Sequence, residues 1–262
     1  MSSFSADWLL LREPIDLAAR NASVEAAFLQ ALLGSGPLLD LASGAGSTVM
    51  ALRDRLPAEQ SWILTDHDPA LIETAKSRFD GNSRAGFMQV DLAAGLDRLP
   101  FNDVSGVTTS AFLDLVTGEF LEGLVDKVTR SKRPFLASLT YDGRAWCTPE
   151  DPLDFELTAA MNAHQKTDKG FGTALGPDAA HVAARLFREA GYEVVTGTSD
   201  WNAGDDASEF LEMLCSGWVD VGVQVALDKS RLEEWHSTRA CQIATGQLQM
   251  GVGHIDLAAF PA

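Results

Sequence analysis

Three carboxylate residues stand where predicted strands run into their following turns. The first, Asp40, is followed by Gly44 and Gly46, and glycines at a strand-to-helix turn let the backbone approach a ligand closely. Asp66 lies 20 residues beyond Gly46, a separation at which a carboxylate at the next strand end can accept hydrogen bonds from ribose hydroxyls. Asp91 ends the third strand, within reach of an adenine amino group. Together these residues predict a site for an adenosine-containing ligand.

The spacing of the glycines separates two classes of adenosine cofactor. The dinucleotide fingerprint has the form Gly-x-Gly-x-x-Gly, but Gly44 and Gly46 are followed by Ser47, Thr48 and Val49, so the third glycine is missing. The residues instead form the pattern Asp-x-Ala-x-Gly-x-Gly over positions 40–46.

This pattern resembles the first motif of the class I S-adenosylmethionine-dependent methyltransferases. Ala42 stands where a first glycine is more frequent in that family, and alanine is still small. The resemblance continues in Thr-Asp-His-Asp-Pro at 65–69, in Val-Asp-Leu at 90–92 and in Thr-Ser-Ala-Phe-Leu-Asp-Leu at 109–115. Its specific motifs cover residues 35–145, and beyond them it is carried mainly by the order of strands and helices.

The resemblance implies S-adenosyl-L-methionine as cofactor and a role for each motif. Asp40 would orient the turn or contact the cofactor's amino group, and the two glycines would pass beneath the methionine portion. Asp66 would bind the ribose, Asp91 with the Leu92 backbone would hold the adenine, and Ser110 with Ala111 would line the path to the sulfonium. The expected cofactor-binding set is Arg12, Arg20, Asp40, Ala42, Ser43, Gly44, Gly46, Asp66, His67, Asp91, Leu92, Ser110, Ala111 and Asp114.

Two arginines precede the first strand, in the helices that often cover the cofactor in this family. Either Arg12 or Arg20 could pair with the cofactor carboxylate through a bidentate contact. The alternative is a solvated helix face on which Arg12 pairs with Asp16 at i, i+4. The sequence leaves both alternatives open.

Candidate acceptor-binding residues lie at the end of the fifth predicted strand and in the segment that follows it. A general base is needed only when the acceptor loses a proton. The catalytic candidates are His164, Tyr141 and Asp142, and His164 is preferred because an unperturbed histidine pKa near 6.5 suits proton acceptance; the alternative for His164 is a surface position. The predicted substrate contacts are Tyr141, His164, Lys169, Phe171 and Trp201, whereas Trp218 and His254 are assigned to the core.

Short apolar segments alternate with helical ones, a pattern typical of βαβ units in a parallel sheet covered on both faces. Strands are predicted at 38–42, 62–65, 86–90, 104–110, 135–140, 192–197 and 253–260. Two short helices are expected over 8–33, with Pro14 at a helix start, and later ones near 48–56, 69–79, 119–130, 177–190, 207–219 and 230–243. We therefore expect an α/β fold: Rossmann-like, doubly wound, with a mostly parallel seven-stranded sheet whose last strand is antiparallel, as the resemblance implies.

The chain is expected to form one domain of 262 residues. Residues 1–34 would form an N-terminal helical cap and 35–141 the cofactor-binding half. Residues 142–176 interrupt the strand and helix rhythm and would form a substrate-cap insertion after strand 5, with a polar helix-like piece at 155–164. Residues 177–262 would complete the sheet.

Composition excludes several classes of function. The formal net charge is −17, which opposes binding to nucleic acids, because that affinity comes from Lys and Arg displacing phosphate counterions. With 46% hydrophobic residues, intrinsic disorder is not expected. No run of about 18 apolar residues predicts a membrane span, and no signal peptide is recognised. Three distant cysteines predict neither disulfides nor a metal site, so we expect a cytoplasmic protein without a metal.

The sequence therefore predicts methyl transfer from S-adenosyl-L-methionine to a small-molecule acceptor, at oxygen or nitrogen. One alternative is a protein that binds S-adenosylmethionine or S-adenosylhomocysteine without catalysis. A second is an NAD-dependent oxidoreductase. The acceptor and the oligomeric state stay open.

Overall fold

The computed structural model describes residues 5–32, 34–79 and 84–262. It begins with helices α1 (Ala6–Ala19) and α2 (Ala22–Ala31). The Ser5 hydroxyl caps α1 by accepting a hydrogen bond from the Trp8 backbone N–H at 3.1 Å. Pro14 lies inside α1, so the prediction that it starts a helix is wrong. The cap at Ser5 starts α1 before Pro14, and Asn21 caps α2, the second of the two helices expected over 8–33.

The described residues contain eight further helices and eight strands. The strands are β1 (Leu38–Leu41), β2 (Trp62–Asp66), β3 (Ala85–Gln89), β4 (Gly106–Ser110), β5 (Phe135–Thr148), β6 (Tyr192–Thr198), β7 (Trp201–Ala203) and β8 (Gln249–Pro261). The helices are α3 (Ser47–Leu52), α4 (Pro69–Arg78), α5 (Leu92–Gly95), α6 (Gly118–Arg130), α7 (Pro152–Gln165), α8 (Ala179–Glu189), α9 (Ser208–Gln224) and α10 (Lys229–Ala244).

The strands form one sheet in the order β3-β2-β1-β4-β5-β8-β6, and β7 pairs with β8. Strands β1 to β5 pair in parallel, whereas β8 is antiparallel to both β5 and β6. This confirms the mostly parallel Rossmann-like sheet and its antiparallel last strand. The described sheet has eight strands and not the expected seven, because the three-residue β7 is too short to show a periodicity in sequence.

The strand order reverses at β1, which pairs with β2 on one side and with β4 on the other. Leu41 at the end of β1 is in register with Thr65 of β2 and with Thr109 of β4. In open α/β sheets, ligands bind in the crevice at the carboxyl ends of the strands where the order reverses. The loops that carry Asp66 and Ser110 therefore meet at one edge of the sheet.

Three apolar clusters hold this frame together. One packs α6 and α8 against the sheet, with Phe135 and Phe187 fully buried, and a second packs α2 and α3 around Phe28. The third lies beyond the carboxyl end of β5, where α7, α9 and α10 pack around Trp235.

Strand β5 extends into the segment predicted to be a cap. The prediction ended this strand at residue 140, but it continues to Thr148 because the start of β8 supplies an antiparallel partner, with Trp146 opposite Gly251. A Cβ atom at Gly251 would overlap the Trp146 ring, so glycine is needed there. Helix α7 follows, started by a capping box in which Asp151 and Asp154 each bind the other's backbone N–H.

Candidate functional site

Two adjoining cavities lie at the carboxyl edge of the sheet. The first cavity lies over the loops after β1, β2, β3 and β4, and α1 covers it. The second cavity lies between α1, α7, α9 and the ends of β5 and β8. They enclose about 1110 and 1250 Å³ of space, their open mouths included, which is sufficient for small molecules. The residues that line both are Arg12, Ala111, Leu115 and Lys169.

The first cavity brings together most of the residues expected to bind the cofactor. Ten of the fourteen line it: Arg12, Ala42, Ser43, Gly44, Asp66, His67, Asp91, Leu92, Ser110 and Ala111. The other four, Arg20, Asp40, Gly46 and Asp114, do not.

The turn after β1 forms the floor of the first cavity. Ala42 has a φ of 50° and Gly44 a φ of 54°, so both are in the left-handed region that favours glycine. A Cβ atom at Gly44 would lie 3.0 Å from the Leu9 side chain of α1, so a larger residue would push against the helix that covers the turn. Gly46 lies beneath this floor, where a Cβ atom would overlap Phe79.

Two carboxylates face the first cavity from neighbouring loops. Asp66 accepts hydrogen bonds from the backbone N–H groups of Gly44 and Asp68, both at 2.9 Å, and its oxygen lies 3.3 Å from His67 Nδ1. Asp91 caps α5 by accepting from the Ala93 N–H at 3.0 Å. These backbone bonds fix the orientation of both carboxylates while leaving lone pairs for a ligand.

Asp40 is fully buried and does not reach the cavity. Its Oδ1 accepts a hydrogen bond from the Thr108 hydroxyl at 2.7 Å, and its Oδ2 has no hydrogen-bond partner among the described residues. Burial raises the pKa of this carboxyl to about 7. Of the two roles predicted for Asp40, this position favours orientation of the turn over contact with the cofactor's amino group.

The two N-terminal arginines take different positions. Arg20 is buried beside the sheet and donates to the hydroxyls of Ser138 at 3.0 Å and Ser110 at 3.2 Å, so its guanidinium lines neither cavity. Arg12 lines both cavities, and its Nε lies 3.0 Å from Asp16 Oδ2. That i, i+4 ion pair is present, but it is buried at the cavity wall and not on a solvated helix face.

Asp16 connects Arg12 to Trp201 between the two cavities, although the sequence predicted it only as a partner of Arg12. Its second oxygen accepts a hydrogen bond from Trp201 Nε1 at 2.8 Å, and the Arg12 guanidinium lies 5.7 Å from the Trp201 ring. Burial raises the pKa of Asp16, although the neighbouring arginines oppose this shift. The contact joins residues 185 positions apart, so no local pattern could reveal it.

Polar side chains gather at the end of the second cavity that adjoins the first. Asp114, expected to bind the cofactor, lies here because the turn after β4 directs it away from the first cavity. Gln165 Nε2 donates to its Oδ2 at 3.2 Å. His164 and Lys169 line the same end, with Lys169 Nζ 3.2 Å from His164 Nδ1.

Burial changes the ionisation of this polar group. It raises the pKa of Asp114 to about 6 and lowers the pKa of His164, on which the Lys169 charge acts in the same direction. Burial also lowers the pKa of Lys169. The pKa of Tyr141 is raised, again by burial, and its hydroxyl donates to Asn162 Oδ1 at 2.9 Å. Tyr141 is therefore a neutral donor at neutral pH.

Aromatic and aliphatic side chains form the rest of the second cavity. Trp218 and His254, assigned to the core from sequence, are buried but line this cavity together with Trp8 and Trp201. The His254 ring lies 4.7 Å from the Trp201 ring. Burial lowers the pKa of His254 to about 3, so this imidazole is neutral.

Two of the residues predicted to act on the acceptor do not line the second cavity. Asp142, proposed as catalytic, lines neither cavity, and its carboxylate instead accepts a hydrogen bond from Arg144 Nε at 2.8 Å. Phe171 lines the first cavity and not the second, since its ring packs against Phe112 and Phe120.

Two features are absent from the described residues. No described helix has the length and apolarity needed to cross a membrane. No group of three or more His, Cys, Asp or Glu side chains within 5–32, 34–79 and 84–262 is arranged to hold a metal ion.

The comparison with known proteins rests on structure alone. No family model and no curated protein matches this sequence. A candidate methyltransferase from Bacillus halodurans is 16% identical, with 92% of this chain and 100% of that chain covered and a TM-score of 0.53. The YcgJ protein from Bacillus subtilis is 15% identical, with 92% and 98% covered and a TM-score of 0.52.

A geranyl diphosphate C-methyltransferase from Streptomyces coelicolor, solved with S-adenosyl-L-homocysteine, is 14% identical over 92% of this chain and 78% of its own. Its TM-score of 0.47 is too low to support an inference. At identities of 15% and 16%, the two Bacillus proteins establish a shared fold and nothing finer. The chain thus has the Rossmann-like fold that its motifs predict.

Proposed function

We propose that this protein is an S-adenosyl-L-methionine-dependent methyltransferase that acts on a small-molecule acceptor at oxygen or nitrogen. The observation that carries the proposal is the junction of the two cavities. One holds the adenosine-type carboxylates Asp66 and Asp91, and the other is a separate, largely apolar chamber. Ala111, which is expected to line the path to the sulfonium, lies where the two cavities meet.

The residues of the first cavity fit the cofactor. Asp66 and Asp91 present acceptor oxygens for ribose hydroxyls and for the adenine amino group, and Leu71 and Leu92 offer apolar surface to a planar base. Arg12 and Lys169 both line the cavity, and the terminal nitrogens of Arg12 form no hydrogen bond with any described residue. A guanidinium in that position can bind the cofactor carboxylate in a bidentate manner.

The bound cofactor would supply a methyl group already activated by a positive sulfur. The protein then has to hold an acceptor atom about 3 Å from that methyl and exclude water. The lining of the second cavity supports this role, because much of it is apolar and its polar end adjoins the first cavity. Proton-accepting groups at that end suit an oxygen or nitrogen acceptor.

The remaining assignments belong to the same proposal. We divide the single domain as the sequence suggests, with a cap at 1–34 and 142–176, a cofactor half at 35–141 and the rest of the sheet at 177–262. Within the second cap segment, residues 142–148 continue strand β5. The formal charge of −17 disfavours nucleic-acid substrates, so the proposed partner is a small molecule encountered in the cytoplasm.

Titration calorimetry with S-adenosylhomocysteine and with NAD tests the cofactor. We expect S-adenosylhomocysteine to bind and NAD to give no heat; the reverse result would identify a dinucleotide enzyme. Incubation with methyl-labelled S-adenosylmethionine and a metabolite extract tests catalysis. Label recovered in a small molecule supports the proposal, whereas binding without any product from the extract would indicate a non-catalytic binding protein.

A further inference from the structure

The second cavity has a polar end and aromatic walls. The polar end, at the junction with the first cavity, carries Asp114, His164 and Lys169. The remaining walls carry Trp201, Trp218 and apolar side chains, and Trp201 lies beside Arg12. A guest that satisfies both the polar end and the walls has an apolar, ring-shaped body and one polar group directed at the junction.

The charges at the polar end are balanced by the protein itself. The Arg12 guanidinium is paired with the buried Asp16 carboxylate. Lys169 and Asp114 have opposite charges, and each acts on the ionisation of the other. Asp168 also lines the cavity, but it is exposed, so solvent screens its charge. The buried part of the cavity therefore has no excess charge to neutralise, and it favours a neutral guest over an anion or a cation, because an unpaired ion would lose its hydration without compensation.

We propose that the second cavity binds a neutral aromatic acceptor bearing one weakly acidic hydroxyl, and that Asp114 is the catalytic residue that takes the hydroxyl proton. This inference rests on the proposed function and adds the class of acceptor and the identity of the base.

Asp114 is better placed than His164 to accept a proton. Protonation of His164 would put a second positive charge 3.2 Å from the Lys169 ammonium, and burial already disfavours a charged imidazole. Protonation of Asp114 removes a buried charge instead. Its neighbours keep the carboxylate available: the charges of Arg12 and Lys169 stabilise the ionised form, and Gln165 donates a hydrogen bond to it. Burial alone would favour the neutral acid.

The proton and electron pairs balance as follows. The hydroxyl proton moves to an Asp114 oxygen, and the electron pair of the O–H bond stays on the acceptor oxygen. That pair forms the new oxygen–methyl bond, and the pair of the broken methyl–sulfur bond stays on the sulfur of the methyl donor. Asp114 afterwards releases its proton to solvent, and its carboxylate is restored.

The first experiment measures binding without turnover. Protein saturated with S-adenosylhomocysteine is titrated with 2-naphthol, naphthalene and 2-naphthoate, and quenching of tryptophan fluorescence reports the occupancy of a cavity lined by Trp8, Trp201 and Trp218. We expect 2-naphthol to bind at least about 10-fold more tightly than the other two. Equal binding of naphthalene would overturn recognition of the hydroxyl, and tighter binding of 2-naphthoate would overturn the neutral guest.

The second experiment identifies the base through Asp114→Asn, which keeps the shape of the side chain. Transfer of a methyl group to 2-naphthol is expected to fall about 10²- to 10⁴-fold, while 2-naphthol affinity changes less than about threefold. Asp126→Asn removes an exposed carboxylate of α6 that lies in neither cavity, and is the matched control. Should Asp114→Asn not fold, which circular dichroism would show, Asp114→Ser replaces it.

Three results would contradict the inference. Full activity of Asp114→Asn, or a larger loss in His164→Gln than in Asp114→Asn, would exclude Asp114 as the base. No transfer to bound 2-naphthol would overturn the proposed class of acceptor. A protein that fails to bind S-adenosylhomocysteine would refute the proposed function itself. A protein that binds S-adenosylhomocysteine but not 2-naphthol would refute this inference alone.

Discussion

Replacement of Arg12 by methionine separates binding of the cofactor carboxylate from binding of its nucleoside. The side chain is only 13% exposed, so solvent screens its charge weakly. Hydrogen bonds to charged groups contribute about 1.5–3 kcal/mol. Arg12→Met should therefore weaken S-adenosylhomocysteine binding by about 10- to 150-fold.

Two ligands measured by calorimetry make this prediction specific. S-adenosylhomocysteine carries the amino-acid carboxylate and 5′-methylthioadenosine lacks it, so the affinity of the second should change less than about threefold in Arg12→Met. Arg20→Met is the matched control, because Arg20 lines neither cavity. It should unfold at lower denaturant while holding S-adenosylhomocysteine nearly as well as the unchanged protein.

The loss of Arg12 also leaves Asp16 buried without its counter-charge. Breaking a buried ion pair from one side costs about 3–5 kcal/mol of stability. Arg12→Met combined with Asp16→Asn should recover much of that stability yet still bind S-adenosylhomocysteine weakly. Equal weakening of both ligands by Arg12→Met, or recovery of affinity in the double variant, would show that Arg12 acts through the fold and not on the carboxylate.

Three further predictions concern the loops of the first cavity. Asp66→Ala should weaken S-adenosylhomocysteine binding by about 1–3 kcal/mol, as measured by calorimetry. Asp68→Ala, which removes the cap of α4, should lower stability by about 1 kcal/mol in urea unfolding and leave the affinity for S-adenosylhomocysteine unchanged. Ala42→Gly should change the free energy of unfolding by between about 0 and +1 kcal/mol, because glycine relieves the left-handed backbone at this position and thereby offsets the entropy it adds to the unfolded chain. Ala51→Gly, inside α3, should lower the free energy of unfolding by about 1 kcal/mol. A clear loss of stability in Ala42→Gly would contradict backbone strain at Ala42. Burial raises the pKa of Asp40 in the folded protein to about 7 from its ordinary value of 3.8, so the folded state binds an extra proton between these pH values. Stability therefore falls as pH rises through that window, by about 4 kcal/mol at most. Urea unfolding from pH 4 to 8 should show a smaller fall in Asp40→Asn, and an unchanged slope would assign the fall to other groups.

The motif residues could be placed from sequence because the β1 to β4 half is built of local units. Each short strand feeds directly into its loop, so Asp66 and Asp91 had to arrive at the same edge once the strands were parallel. Local chemistry also starts the helices, as at Asn21 and Asp68, whose side chains cap the next turn. Periodicity and turn signals contain this information, since the interacting residues are neighbours in the chain.

The lining of the second cavity could not be predicted from sequence, because it depends on contacts between residues far apart in the chain. Asp114 belongs to a family-like motif, but only the direction of the turn after β4 sends its carboxyl into the second cavity. Asp142 lies one residue beyond Tyr141, yet it pairs with Arg144 and lines neither cavity, because neighbouring residues of a strand point to opposite faces. Trp218 lies on the apolar face of α9, as a core residue would. This periodicity is the same whether the buried face packs against other side chains or lines a cavity, so the sequence could not distinguish the two.

The sequence by itself determined the order of strands and helices, the adenosine-type loops and the absence of the third dinucleotide glycine. Only the tertiary structure decided between Arg12 and Arg20, because both lie on the same pair of helices with similar local surroundings. Their difference arises from partners far along the chain: Ser138 holds Arg20 against the sheet, and Trp201 shares Asp16 with Arg12 at the cavity wall. Hydrogen bonds across such separations form only when packing has brought the elements together, so the charge available to a ligand is a property of the folded chain.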